Sequence, residues 1–120
     1  MFEIEFYQDN SGKEPVIEYI NHLKEKADHD KNSRIKLKKI YEYMEFLSVY
    51  GTRIGEPVVK HLDNQIWELR PTDDRLLFFF WKDNKFIILH HFKKKTRTTP
   101  KRELNQAKRN MKDYLERDGL

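Results

Sequence analysis

Apolar and charged residues alternate at the start of the chain, Phe2-Glu3-Ile4-Glu5-Phe6, with Tyr7 extending the run. A period of two turns one face inward, so a half-buried strand is expected. Gln8 to Gly12 is a cluster of turn formers. Ser11 and Glu14 then stand at capping-box spacing, and Pro15 falls in the first turn, where its missing N–H costs nothing. Val16, Ile20, Leu23 and Ala27 recur at helical spacing and predict an amphipathic helix ending near Ala27. After a polar link, Asp28 to Ser33, the residues Leu37, Ile40, Met44 and Leu47 form a second stripe, with Tyr43, Phe46 and Tyr50 beside it. Gly51 follows as a C′ residue. A link this short predicts an antiparallel pair of helices, whose wide apolar face needs a sheet to cover it.

Beyond Gly51 the period changes from helical to extended. Val58 to Leu62 is a short strand, and Asp63-Asn64-Gln65 turns it into Ile66 to Arg70, a hairpin of three-residue type. Pro71 to Asp74 turns again into Arg75–Trp81, which is almost wholly apolar and so reads as a central strand covered on both faces. Phe78, Phe79, Phe80 and Trp81 are the expected buried aromatics of this strand. Lys82 to Lys85 turns into a last strand, Phe86 to Phe92. Thr99 as N-cap and Pro100 at the first helical position open a final helix striped by Leu104, Ala107, Met111, Tyr114 and Leu115. The expected order is β-α-α-β-β-β-β-α: an α+β domain, 1–120, with a helical hairpin on a twisted, mainly antiparallel sheet and a C-terminal helix at its edge or other face.

Composition changes this picture in one respect. From His90 onward ten Lys or Arg face four acids, leaving +6, whereas the first 89 residues carry 14 bases and 16 acids. Positive charge therefore gathers at the exit from the last strand, next to aromatic residues, as an anion-binding surface requires. There is no cysteine, so thiolate metal sites, disulfides and a cysteine nucleophile are excluded. The longest apolar run, Leu76 to Trp81, is far too short to span a bilayer. The N-terminus lacks a basic-then-apolar signal pattern, and a soluble, cytoplasmic protein with no membrane partner is expected. No P-loop, G-x-S-x-G or H-E-x-x-H motif occurs.

The candidate chemistry lies between Ile66 and Pro100. Arg70 ends one strand and Arg75 begins its hairpin partner, so both guanidiniums belong at one sheet end, where their planar forks suit phosphate oxygens. The bland alternative is a surface pair bridged to Glu68, Asp73 or Asp74. His90 and His91 end the last strand. Strict alternation sets His90 with Phe86, Ile88 and Phe92, and His91 with Ile87, Leu89 and Lys93. Either imidazole is an acid/base candidate or a packing residue at a strand end. Adjacent strand residues point to opposite faces, and no carboxylate triad is nearby, so no metal site is indicated. Lys93, Lys94, Lys95 and Arg97 form a basic run before a helix N-terminus, where lysines are unfavourable unless an anion offsets them. Lys60 and His61 extend the patch from the neighbouring hairpin. Trp67 and Phe92 are suited to base stacking or to core packing. The strand that starts at Arg75 and the one that ends at Phe92 run in opposite directions, so the arginine pair and the His-Lys run are expected to meet.

Three segments together, Ile66-Trp67-Glu68-Leu69-Arg70, Arg75-Leu76-Leu77-Phe78-Phe79 and Leu89-His90-His91-Phe92-Lys93-Lys94-Lys95-Thr96-Arg97-Thr98-Thr99-Pro100, resemble the phage-derived, HigB-like branch of the RelE/ParE toxin superfamily. The order of elements also matches that RelE-like fold. His91 stands where the family usually has Gly, Lys93 where an apolar residue is common, and Thr98 where a basic one is. The resemblance implies the toxin of a type II toxin–antitoxin pair, acting as a ribosome-dependent mRNA endonuclease. The RNA 2′-hydroxyl would attack the adjacent phosphate, with no metal or other cofactor required. It further implies an electrostatic clamp of Arg70 and Arg75, with His90 or Lys94 as acid or base. Lys60, His61, Lys93, Lys95 and Arg97 would hold RNA. Its partners would be mRNA on the ribosome and a HigA-like helix-turn-helix antitoxin, with operator DNA bound only through the antitoxin complex. Two alternatives share these residues: a ParE-like gyrase poison and a non-catalytic nucleic-acid binder.

Overall fold

The computed structural model describes residues 1–119 of the 120-residue chain. Its elements are β1 (Glu3–Phe6), α1 (Pro15–Lys26), α2 (Lys31–Tyr50), β2 (Val59–Asp63), β3 (Ile66–Leu69), β4 (Asp74–Trp81), β5 (Lys85–Lys93) and α3 (Lys101–Tyr114). A 3-10 turn, Gly51–Ile54, follows α2, and one wider turn, Leu115–Gly119, extends α3. The strands form an open sheet in the order β1-β5-β4-β3-β2. β2 to β5 run as an antiparallel meander, and β1 joins β5 in parallel. The architecture is α+β, consistent with the RelE-like arrangement expected from the sequence.

Helices cover both faces of the sheet. Val16, Ile20 and Leu23 of α1 and Ile40 and Leu47 of α2 pack on Leu69, Leu76, Phe78, Phe86 and Ile88. On the opposite face, Ala107 and Tyr114 of α3 pack with Tyr7 on Leu77, Phe79, Ile87 and Leu89. This two-sided cover explains the unbroken apolar run of β4, in which Leu76 to Phe79 are fully buried. Phe80 departs from expectation. It is 47% exposed, resting edge-on against Phe2 and Phe86 toward the far end of the strand.

Several local expectations give way to stronger partners. Ser11 does not cap α1. Its amide and hydroxyl donate to Asp9 at 2.9 and 2.7 Å, and the same carboxylate oxygen accepts from the Lys13 amide, so an upstream acid closes the turn. Glu14 is the N-cap residue, without a side-chain cap. α2 begins at Lys31 because Asp30 caps it, accepting from the Asn32 amide at 3.1 Å and the Ser33 hydroxyl at 2.7 Å. The β2–β3 turn has two residues, Asn64 and Gln65, since Asp63 already pairs with Ile66; Asn64 takes the left-handed φ of 51°.

One irregularity decides which way the histidines face. Leu77 of β4 pairs with His90, but Phe78 pairs with Ile88, leaving Leu89 as the extra residue of a β-bulge. Cross-strand partners share a face, so beyond the bulge the alternation is reversed. His90 lies with Leu77 on the α3 side, as Phe92 lies with Arg75, and His91 lies with Leu76 on the helical-hairpin side. The expectation that His90 shares a face with Phe86 and Ile88, and His91 with Ile87 and Leu89, is corrected by this inserted residue. The pairings Arg75–Phe92 and Asp74–Lys93 do bring the start of β4 and the finish of β5 to one sheet end.

Candidate functional site

The arginine pair is built by the β3–β4 hairpin. The Arg70 amide donates to the Val58 carbonyl at 2.9 Å, which holds the residue against the start of β2. A tight turn follows, with Thr72 at a φ of 49° and the Asp74 amide donating to the Pro71 carbonyl at 3.1 Å. Arg75 comes out of this turn with its Nη1 donating to the Thr72 and Asp74 carbonyls at 2.7 and 2.9 Å. Two nearby guanidiniums repel unless an anion separates them, and the chain supplies one. Glu68 Oε1 stands 3.6 Å from Arg70 Nε and 3.9 Å from Arg75 Nε. Arg70 Nη1 is also 3.6 Å from the exposed Glu56 carboxylate. The bridge to Glu68 is the one the bland alternative named, but Arg75 and Glu68 are buried rather than exposed on the surface. Burial pulls the Arg75 guanidinium below its ordinary value, and Glu68 opposes that pull. The buried Nε of Arg70 has no hydrogen-bond acceptor among the described residues.

These groups form one wall of a cavity of about 220 Å³. Lys60 and His61 of β2 enter from one side, and Lys60 pairs with Glu68 across the sheet. Lys94, Arg97, Thr98 and Thr99 enter from the loop after β5. The Lys94 amide donates to the Asp73 carbonyl at 2.8 Å, so β-type pairing carries the basic run past the end of β5. Thr99 does not act as the N-cap of α3. Its hydroxyl donates to Glu68 Oε2 at 2.7 Å, and Pro100 takes the cap position. The described lining thus carries five Lys or Arg and a single carboxylate, Glu68, which makes it strongly attractive to an anion. His61 donates from Nε2 to the Asn64 carbonyl at 2.7 Å and meets Trp67 edge-on at 5.0 Å. Trp67 packs against the core under the helical hairpin.

Four candidates, His90, His91, Lys93 and Lys95, lie apart from this cavity. His90 Nε2 is 2.7 Å from Glu103 Oε1 of α3, and the imidazole is not part of the cavity lining. Lys93 and Lys95 line a neighbouring depression with Arg102 and Glu103; Phe92 borders both hollows. His91 faces the other side of the sheet, stacked on Tyr19 at 3.6 Å between ring centres. There His91 Nε2 and the Tyr19 hydroxyl both reach Asp74 Oδ1, at 2.9 and 2.7 Å. Asp74 is wholly buried. Burial works to raise its carboxyl, but the hydrogen bonds from His91 and Tyr19 outweigh it and hold the group below its ordinary value. Burial and the bond to Asp74 push Tyr19 far up. Glu68 and Thr99 are cavity residues that sequence reasoning did not assign to the site. For Glu68 a signal existed: it has the same strand parity as Arg70 and so shares its face.

The family described as Phage derived protein Gp49-like (DUF891) matches residues 18–112, well over half of the chain. The chain belongs to the Gp49-like family. This is a RelE/HigB-like toxin family, associated with phage-derived toxin–antitoxin systems and generally with RNase activity. A search of curated proteins finds no match. In this Gp49-like chain the matched span contains every residue of the cavity lining, from Lys60 to Leu104. Membership also brings an antitoxin into view as a partner. Among the described residues, no helix is long and apolar enough to cross a membrane.

Proposed function

We propose that this Gp49-like protein is a toxin of the HigB branch that cleaves mRNA on the translating ribosome. The observation that carries the reading is the convergence of Arg70, Arg75 and Lys94 with Lys60, His61 and Arg97 on one cavity. Cleavage by attack of the 2′-hydroxyl uses a nucleophile already in the RNA. The protein then has to hold the phosphate, offset the charge of the crowded phosphorane and move two protons. Planar guanidiniums suit the first two tasks, since they meet phosphate oxygens two at a time. Backbone carbonyls preset Arg75, so little reorganisation is left for the transition state. Lys94, inside the cavity, is the better placed acid for the 5′-oxygen; His90 is tied to Glu103 outside it. Lys93 and Lys95 extend the basic surface along the RNA.

In this reading the partner is a HigA-like helix-turn-helix antitoxin, and operator DNA is bound only through that complex. The test is primer extension on mRNA in a translating extract. Cuts are expected only when ribosomes are present, and Arg70→Ala and Arg75→Ala should each remove them. Intact mRNA together with DNA breaks would overturn this reading in favour of a gyrase poison.

A further inference from the structure

The cavity holds one group that a phosphate site does not need. Glu68 is a carboxylate set between the two arginines, at 3.6 and 3.9 Å, where it repels the anion those arginines attract. Resting on the ribonuclease reading, we infer that Glu68 is the general base of the reaction. Three observations favour it. It is the one carboxylate of the described cavity lining. It sits beside both guanidiniums, and the 2′-oxygen that must lose its proton lies next to the phosphate they would clamp. Its Oε2 already accepts a hydroxyl hydrogen, from Thr99 at 2.7 Å, the type of contact a ribose hydroxyl would make. The other groups fit less well. Lys94 as an ammonium has no acceptor to offer. His61 is exposed and held at the β2–β3 turn by the Asn64 carbonyl.

The step balances without a co-reactant. Glu68 takes the proton of the 2′-hydroxyl as the 2′-oxygen bonds to phosphorus. The bond from phosphorus to the 5′-oxygen breaks with its electron pair, and the 5′-oxygen takes a proton from the Lys94 ammonium. The products are a 2′,3′-cyclic phosphate and a 5′-hydroxyl. Proton exchange with water then restores both groups.

The test uses Glu68→Gln, which keeps the shape and can still accept from Thr99. Two quantities are measured with ribosomes programmed by a short mRNA: the single-turnover cleavage rate against pH, and binding of the same mRNA carrying a 2′-deoxy sugar at the cut. The variant should cleave about 10²–10⁴-fold more slowly. The wild-type rate should rise with pH on the acidic side and the variant's should not, and the variant should bind the deoxy mRNA at least as tightly, because an anion has left a basic site. Persistence of the wild-type acidic limb would overturn the assignment. So would a loss of deoxy-mRNA binding parallel to the loss of rate, which would make Glu68 only a spacer between arginines. Wild-type protein that leaves programmed mRNA uncut would instead defeat the ribonuclease reading itself.

Discussion

Arg75 owes its place to backbone carbonyls as much as to charge. Its Nη1 donates to Thr72 and Asp74, and its Nε faces Glu68. A lysine has the charge but not the planar fork, so Arg75→Lys should behave nearly as Arg75→Ala. Each should slow single-turnover cleavage by about 10²–10³, the range for losing one preorganised charge-stabilising donor. Lys94 and His90 separate by location. Lys94→Ala should remove most cleavage, whereas His90→Ala should change the rate only a few-fold and lower stability by about 1 kcal/mol, the net worth of one hydrogen bond. Urea denaturation and the same kinetic assay distinguish the two outcomes. At this scale the residue types were legible. Paired arginines and a lysine run announce a phosphate-binding surface by their chemistry alone, but whether an imidazole reaches the cavity does not follow from its identity.

The elements determine how those residues are held. β4 presents Arg75 to the α3 side and its neighbour Asp74 to the helical-hairpin side, where Tyr19 of α1 and His91 of β5 fix it. Asp74→Ala would remove the acceptor of the part-buried Tyr19 hydroxyl and His91 nitrogen, at about 1 kcal/mol per lost hydrogen bond. The pH dependence has a definite sign. The folded carboxyl lies below its ordinary value of 3.8, so its ionised form is favoured by folding. That contribution is complete above 3.8 and is lost as pH falls through the lower folded value. The gap in urea stability between wild type and Asp74→Asn should therefore be full at neutral pH and narrow only below about pH 4. The same strand tests the two-sided core. Phe78→Ala should cost about 3–5 kcal/mol, the usual range for a fully buried phenylalanine. Phe80→Ala should cost less than half of that by thermal denaturation, since the ring is nearly half in water. Periodicity was enough to identify every strand and helix. It missed the bulge at Leu89, because an inserted residue is defined by the partner strand and not by its own neighbours.

Across the whole molecule, an excess of acid in the first 89 residues meets an excess of base in the rest. The fold collects the basic part at one sheet end. Binding to single-stranded RNA should therefore weaken steeply with salt. Lys60→Ala and Arg97→Ala should each flatten the plot of log affinity against log salt by about 0.7, one phosphate contact apiece. Filter binding across a salt series checks this. An unchanged slope would mean that the cavity cations do not meet the RNA backbone.

The order of elements, the central place of β4, the basic exit of β5 and the meeting of Arg75 with Phe92 all follow from the sequence. They depend on short-range periodicity, on turn residues and on the opposed directions of neighbouring strands. The contents of the site were decided only in three dimensions. Glu68 and Thr99 are 31 residues apart, and Tyr19 and Asp74 are 55 apart. Such pairs form because sheet register and helix packing bring them together, and no local pattern specifies either. Register also turned His90 toward Glu103 and His91 toward Asp74, and it set Glu68 beside both arginines.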